Sequence, residues 1–278
     1  MRRRLQRLTV LAALAVLALA GCAGQAPPGA APLPWQQPHP AVAYLRFAPL
    51  PDSVVHVLRV DLQAPGLRVE LSPAAERGQT VPEMASGADA LVSVNASFFD
   101  RSYAPRGLTM SAGQAWEPVM AAQASPLLAC DARPRCRIEL QPPFELRPGW
   151  RTVVAGTPWL LDHGRERTPA DDAGCAALCQ RAHPRTSVGL DASGRWLFLL
   201  LAEGRRPPVQ GLSLAQLSAV MHGLGADTAL NLDGGGSSTL LLRGESLLAR
   251  PFNEPQLRRV ANALHIRIDG GAEALVQR

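Results

Sequence analysis

The sequence predicts a single α+β domain built on a mixed, mostly antiparallel sheet with a few helices. Short apolar or alternating runs recur along the chain, and 24 Gly and 25 Pro among 278 residues supply the turns between them. Helical spacing is confined to two short segments. There is no internal repeat and no regular strand–helix alternation, which argues against a doubly wound parallel sheet. A chain of this length that is 47% hydrophobic can bury a core unaided.

Each element has a local reason. Residues 54–62 alternate, with Val54, His56, Leu58, Val60 and Leu62 on one face, and read as a strand. Pro65-Gly66 then turns the chain into a second strand, Leu67 to Leu71, and the two are expected to form a hairpin. Val81 to Ala88 reads as a short helix and residues 91–94 as an apolar strand. Short strands are expected around residues 107–110 and 137–140. Residues 152–155 and 159–161 flank the turn Gly156-Thr157-Pro158, and the polar stretch 165–184 reads as a surface excursion. Residues 186–190 and 196–202 are joined by Asp191-Ala192-Ser193-Gly194, a strong hairpin signal. Ser213 with Gln216 three residues on is a capping box. It opens a helix whose stripe is Leu214, Leu217, Val220, Met221 and Leu224, and Gly225 closes it. His222 lies off that stripe, on the surface. Residues 229–232, 239–242 and 260–268 complete the strands.

The first 21 residues read as a leader. Arg2, Arg3, Arg4 and Arg7 precede an apolar run, residues 8–20, which is too short to span a bilayer as a helix. Leu19-Ala20-Gly21-Cys22 resembles a bacterial lipobox, so Cys22 is the expected site of lipidation. Ala23, where an Asp would signal retention at the inner membrane, points to the outer membrane facing the periplasm. Residues 22–43 then form a Pro/Ala-rich tether, and the domain occupies 44–278. Removing the leader's four arginines takes the formal charge from +5 to +1, which argues against a nucleic-acid partner. The membrane is met through the lipid alone, and the domain is expected to be a monomer. With Cys22 assigned to lipid, Cys130, Cys136, Cys175 and Cys179 read as two disulfides. Four cysteines allow three connectivities; the local pairs Cys130–Cys136 and Cys175–Cys179 are favoured. Their spacing fits zinc poorly, even with His183 nearby.

The segment Asn231-Leu232-Asp233-Gly234-Gly235-Gly236-Ser237-Ser238 holds the most chemistry. Three glycines in a row supply no packing but allow successive N–H groups to face one anion, with two hydroxyls and the Asp233 carboxylate beside them. It lacks the lysine of a Walker loop and the pattern of a nucleophile elbow. Asn95 precedes Phe98-Phe99 after an apolar strand, Arg185-Thr186 opens another strand, and Glu203-Gly204-Arg205 follows the most apolar strand in the chain.

In order, Asn95-Ala96-Ser97-Phe98-Phe99, Pro184-Arg185-Thr186-Ser187-Val188-Gly189, Glu203-Gly204-Arg205, the Asp233 segment and Arg259-Val260-Ala261-Asn262-Ala263-Leu264 resemble the successive motifs of the phosphodiester glycosidase family. The resemblance spans residues 54–269. It implies hydrolysis of a glycosyl-1-phosphodiester between anomeric carbon and phosphate, with no resident cofactor. It also implies that Arg185 and Thr186 hold the phosphate with Gly234, Gly235, Gly236, Ser237 and Ser238. Asp233 and Glu203 would be the acid/base carboxylates, and Asn95 and Asn262 would bind substrate oxygens. An envelope glycan is the expected substrate. The chain departs from the pattern where Ala96 and Ser97 replace two glycines, where Thr157 replaces a glycine after Gly156, and where Glu203 stands for the commoner Asp. Two other readings follow from the same residues. One is a silent module that binds sugar phosphate. The other is a phosphodiesterase using Asp233 and Glu203 as ligands to Mg²⁺ or Ca²⁺.

Overall fold

The computed structural model describes residues 33–117, 125–141 and 146–269. The leader, Cys22 and the tether as far as residue 32 lie outside that range. The end of the stretch read as tether belongs to the sheet instead. Gln36–His39 (β1) and Val42–Phe47 (β2) pair antiparallel, and residues 41–45 are buried. Pro38 and Pro40 disguise this, but β1 is an edge strand, where a missing N–H is tolerated. Trp35 docks its ring 4.9 Å from the Arg59 guanidinium.

The chain continues through Val55–Asp61 (β3), Leu67–Leu71 (β4), helix Val81–Ala88 (α1), Val92–Asn95 (β5), Thr109–Ser111 (β6) and Gln114–Ala115 (β7). Ser125–Asp131 (β8), Cys136–Gln141 (β9), Trp150–Ala155 (β10), Trp159–Asp162 (β11) and Arg165–Glu166 (β12) lead to the short helix Ala176–Cys179 (α2). Arg185–Leu190 (β13), Trp196–Ala202 (β14), helix Leu214–Gly223 (α3), Thr228–Asn231 (β15), Leu240–Leu242 (β16), Glu245–Ser246 (β17) and Ala263–Ile268 (β18) follow. An eight-stranded sheet runs β1-β2-β3-β14-β13-β15-β11-β12, and two five-stranded sheets run β17-β16-β5-β18-β4 and β7-β6-β10-β8-β9. Every strand pairing among the described residues is antiparallel. The domain is therefore α+β.

The large sheet is covered on both faces. Leu58, Val60, Leu199 and Leu201 pack on one side against Val69, Val94, Leu264 and Ile266 of one small sheet and Leu128, Ile138 and Val154 of the other. On the other side Val57, Phe198, Leu200 and Ala229 lie under Leu214, Leu217 and Met221 of α3. Double burial is why β14 reads as an unbroken apolar run. Both longer helices start as their sequences require, with capping boxes at Thr80/Glu83 and Ser213/Gln216. His222 is exposed and pairs with Glu166 at 2.6 Å.

One local reading is corrected by long-range pairing. The expected hairpin across Pro65-Gly66 does not form: β3 pairs with β2 and β14, and β4 pairs with β18. β3 lies inside the large sheet with its edges taken by β2 and β14, and the turn hands the chain to another sheet, where β4 pairs with β18. The turn at Gly156 and the Gly234-Gly235-Gly236 run also carry the chain between sheets, because β10 and β16 belong to the small sheets and β11 and β15 to the large one. Both favoured disulfides form, Cys130–Cys136 across the β8–β9 ladder and Cys175–Cys179 in the excursion.

At Gly156 a β-carbon would strike the Leu230 side chain and come within 2.5 Å of the Asn231 carbonyl oxygen. Gly156→Ala is therefore expected to destabilise the domain by about 1–3 kcal/mol. Gly174→Ala, with no atom within 4 Å of its added carbon, should be close to neutral. Denaturant unfolding of the two variants checks the difference.

Candidate active site

The chemistry-bearing segments meet at the end of the sandwich where the chain crosses between the large sheet and the sheet of β5, β16 and β18. Asn95, the last residue of β5, is fully buried. Its Nδ2 donates to the Asp233 carbonyl at 2.6 Å, and its Oδ1 accepts from the Thr186 hydroxyl at 2.9 Å and from the Thr239 N–H at 3.1 Å. The Asp233 N–H donates to the Ala96 carbonyl, and the Leu232 N–H to the Thr186 carbonyl. Thr186 also bonds to the Ser238 hydroxyl at 3.2 Å. Asn95, Thr186 and Ser238 are thus brought together, but as the frame that aims Asp233. Asn262 is also fully buried: its Oδ1 accepts the Ser97 N–H at 2.9 Å and its Nδ2 donates to the Ser97 hydroxyl at 3.0 Å. Neither Ala96 nor Ser97 has a left-handed backbone, so the side chains that replace the family's glycines are carried without strain.

Asp233 is half-buried, and burial pushes its carboxyl up to about 6. The Ser237 hydroxyl, the Arg258 charge and the Gly234 N–H pull the other way without cancelling burial, and the Glu254 carboxylate adds to the rise. Gly235, Ser237 and Ser238 spend their N–H groups on the carbonyls of Pro184, Gly234 and Gly235, in a 3-10 turn over Gly235–Ser237. The row of N–H groups expected to face an anion is therefore used mostly inside the turn.

Glu203 lies at the far end of β14 and is almost fully buried. Its Oε1 is 2.8 Å from His56 Nε2, and His56 Nδ1 is 2.9 Å from the Tyr44 hydroxyl. Burial alone would raise the Glu203 carboxyl. The His56 hydrogen bond, the Ala249 N–H and the nearby Arg46 charge outweigh it and hold the group below its ordinary range. Strands β14 and β15 flank β13, so the backbones carrying Glu203 and Asp233 stand roughly 10 Å apart.

Arg185 is not among these groups. It points to the other side of β13 from Thr186, where its Nε donates to the Leu212 carbonyl at 2.9 Å and one terminal nitrogen to the carbonyls of Leu178 and Arg181. Burial pushes its guanidinium down to about 10. Alternation along a strand sends neighbouring residues to opposite faces, so Arg185 and Thr186 could not both reach one ligand. Cations do stand at the glycine turn, from other segments. Arg205 has a left-handed backbone, φ 52°, a sparsely populated conformation for a residue with a side chain. It bonds to Glu254 at 3.2 Å, and Arg258 bonds to the other Glu254 oxygen and lies 3.5 Å from the Ser237 hydroxyl. Glu254 rests directly on Gly236, where any β-carbon would collide with its carboxylate. Arg250 closes the turn from behind by donating to the carbonyls of Gly236 and Ser238.

Sequence reasoning passed over His56, Tyr44, Arg250, Glu254 and Arg258. A histidine inside an otherwise apolar strand was the one usable signal, since a buried imidazole needs partners. Among the described residues, the group of donors close enough to hold a metal is Asp172, Cys175 and Cys179, and both cysteines are oxidised to a disulfide.

The family model for phosphodiester glycosidases matches residues 88–267. No curated protein sequence matches the chain. Among solved structures, the catalytic domain of zebrafish N-acetylglucosamine-1-phosphodiester α-N-acetylglucosaminidase, auto-inhibited by its pro-peptide, superimposes with a TM-score of 0.68 at 19% identity, covering 84% of this chain and 85% of that one. A hypothetical protein from Synechocystis gives 0.62 at 18% identity over 88% of this chain and 64% of its own. An exported protein from Burkholderia pseudomallei gives 0.60 at 18% identity, over 77% and 74%. At these identities the likeness is one of fold.

The Asp233 carboxyl makes stability depend on pH. Its folded value, about 6, lies above its ordinary 3.8. The associated stability is therefore complete below about pH 4 and lost as pH rises through about 6, a change of about 3 kcal/mol. Asp233→Asn should unfold at higher denaturant than wild type at pH 8 and at nearly the same denaturant at pH 3.5. Paired unfolding curves at the two pH values check this.

Proposed function

The chain belongs to the phosphodiester glycosidase family, and from that premise we propose that it hydrolyses a glycosyl-1-phosphodiester by the joint action of Asp233 and Glu203. The supporting observation is that the two carboxyls at one end of the large sheet are displaced in opposite directions, Asp233 up to about 6 and Glu203 below its usual range. One carboxyl able to give a proton and one kept as an anion is the division of labour an acid/base pair needs. In this scheme Glu203 takes a proton from the attacking water as its oxygen joins the anomeric carbon. The bond from that carbon to the bridging oxygen breaks, and Asp233 delivers its proton to the departing phosphate oxygen.

The phosphate role passes from Arg185 to Arg205 and Arg258, which stand over the glycine turn with the Ser237 hydroxyl. A diester is a monoanion, and two guanidiniums can hold it and stabilise the charge that develops on the leaving group. The Glu254 carboxylate now sits between those guanidiniums, so a substrate phosphate takes its place and moves it aside. The substrate class proposed is an envelope glycan carrying a sugar-1-phosphodiester. The supporting evidence is the lipobox-like leader with Cys22, which would hold the domain at the membrane.

A panel of sugar-1-phosphodiesters, offered to wild type and variants, tests the proposal. Wild type should release free sugar and a phosphomonoester. Asp233→Asn should lower kcat by about 10²–10⁴-fold, the range of general acid catalysis. Arg258→Ala should act mainly on KM, raising it about tenfold for the loss of one charge-assisted contact. Turnover by Asp233→Asn at the wild-type rate would remove Asp233 from the chemistry.

A further inference from the structure

His56 and Tyr44 play no part in the chemistry assigned so far, yet both are buried in the large sheet and joined in line to Glu203. His56 lies on β3 between β2 and β14, paired across the ladder with Arg46 on one side and Leu201 on the other. Every other position of that β3 face carries an apolar residue, so packing alone would favour leucine over a ring that needs two partners. The two partners settle which nitrogen carries the proton. An ionised Glu203 carboxylate can only accept, so the ring nitrogen beside it must carry a proton. In a neutral imidazole that is the proton on Nε2, 2.8 Å from Glu203, and Nδ1 is left to accept from the Tyr44 hydroxyl.

We propose that His56 is the positioning residue of the reaction, its Nε2–H holding the Glu203 carboxylate in one orientation as an anion, with Tyr44 fixing the imidazole tautomer. This rests on the role given to Glu203 above. The charged and titratable groups that face the pair are Tyr44 and Arg46 from β2 and Glu203 itself, together with the Ala249 N–H. The arrangement has the form of an orienting group behind a base, with the usual order inverted, since here the imidazole orients the carboxylate.

The test follows Glu203 directly, by carboxyl ¹³C NMR of the full-length protein labelled at glutamate, the signal assigned with Glu203→Gln. In His56→Leu the Glu203 midpoint should rise by about one pH unit, since a donor to its charged form is gone. His56→Gln, which can place a donor near the Nε2 position, should keep most of the wild-type value. Tyr44→Phe should shift it up by about half as much as leucine does. In turnover, the acid limb of the pH profile should move up with the NMR midpoint while KM stays near wild type. An unmoved Glu203 midpoint in folded His56→Leu overturns the proposal and makes His56 a packing residue. If leucine prevents folding, Tyr44→Phe decides: a rise supports the proposal and no change overturns it. If wild type cleaves no sugar-1-phosphodiester, the proposed function fails, while the titration still reports on the hold that His56 has over Glu203.

Discussion

The Asn95 side-chain amide is the contact on which the site depends. One carboxamide joins the end of β5 to the backbone at Asp233, to the Thr186 hydroxyl of β13 and to the start of β16. Those partners come from two different sheets, which have no ladder between them at this point. A buried amide that spends its acceptor twice and its donor once cannot be replaced by a hydrocarbon without leaving orphaned polar groups. It also fixes where the crossover carrying Asp233 leaves the large sheet. The glycine turn, the Ser238 hydroxyl and the Thr186 hydroxyl are all placed relative to that single residue.

Charge at the site is arranged in two layers. Inside, the apolar sandwich drives the Asp233 and Glu203 carboxyls toward neutrality, and only Glu203 receives enough donors to resist. At the mouth, Arg205 and Arg258 stand over a turn whose central Gly236 leaves room for an anion to rest on the backbone. The Glu254 carboxylate occupies that room. That carboxylate pairs with both guanidiniums and so keeps close together two cations that would otherwise repel each other. The left-handed Arg205 is consistent with this: its backbone is held in an unfavourable conformation by the bonds of its N–H to Gln210 and of its carbonyl to Phe252.

Much of the fold could be read from sequence where the signal was local. The helix Val81–Ala88, the α3 capping box and the 186–202 hairpin stand as their residues imply. The local signal misled at Pro65-Gly66, where the chain changes sheets, because a turn motif does not say which partner the next strand will find. The same limit applied to the tether: Pro38 and Pro40 look like spacer until β2 supplies an edge to pair with. At the site, residue types were informative and side-chain directions were not. Asp233 and Glu203 stood out by position after apolar strands, whereas Arg185 and Thr186 looked alike in sequence and face opposite ways. Glu254 and Arg258 lie in an irregular segment with no periodicity, and nothing local connects them to a turn some twenty residues earlier.

The central claim is that the two carboxylates act at a sugar carbon and not at phosphorus. Hydrolysis in ¹⁸O-labelled water separates these outcomes, because the oxygen of the attacking water stays with the atom it attacks. Mass analysis of the released phosphomonoester is the direct reading. An unlabelled phosphomonoester is the predicted result, with the new oxygen on the sugar. A phosphomonoester carrying ¹⁸O would contradict it and place the attack at phosphorus, as in a phosphodiesterase.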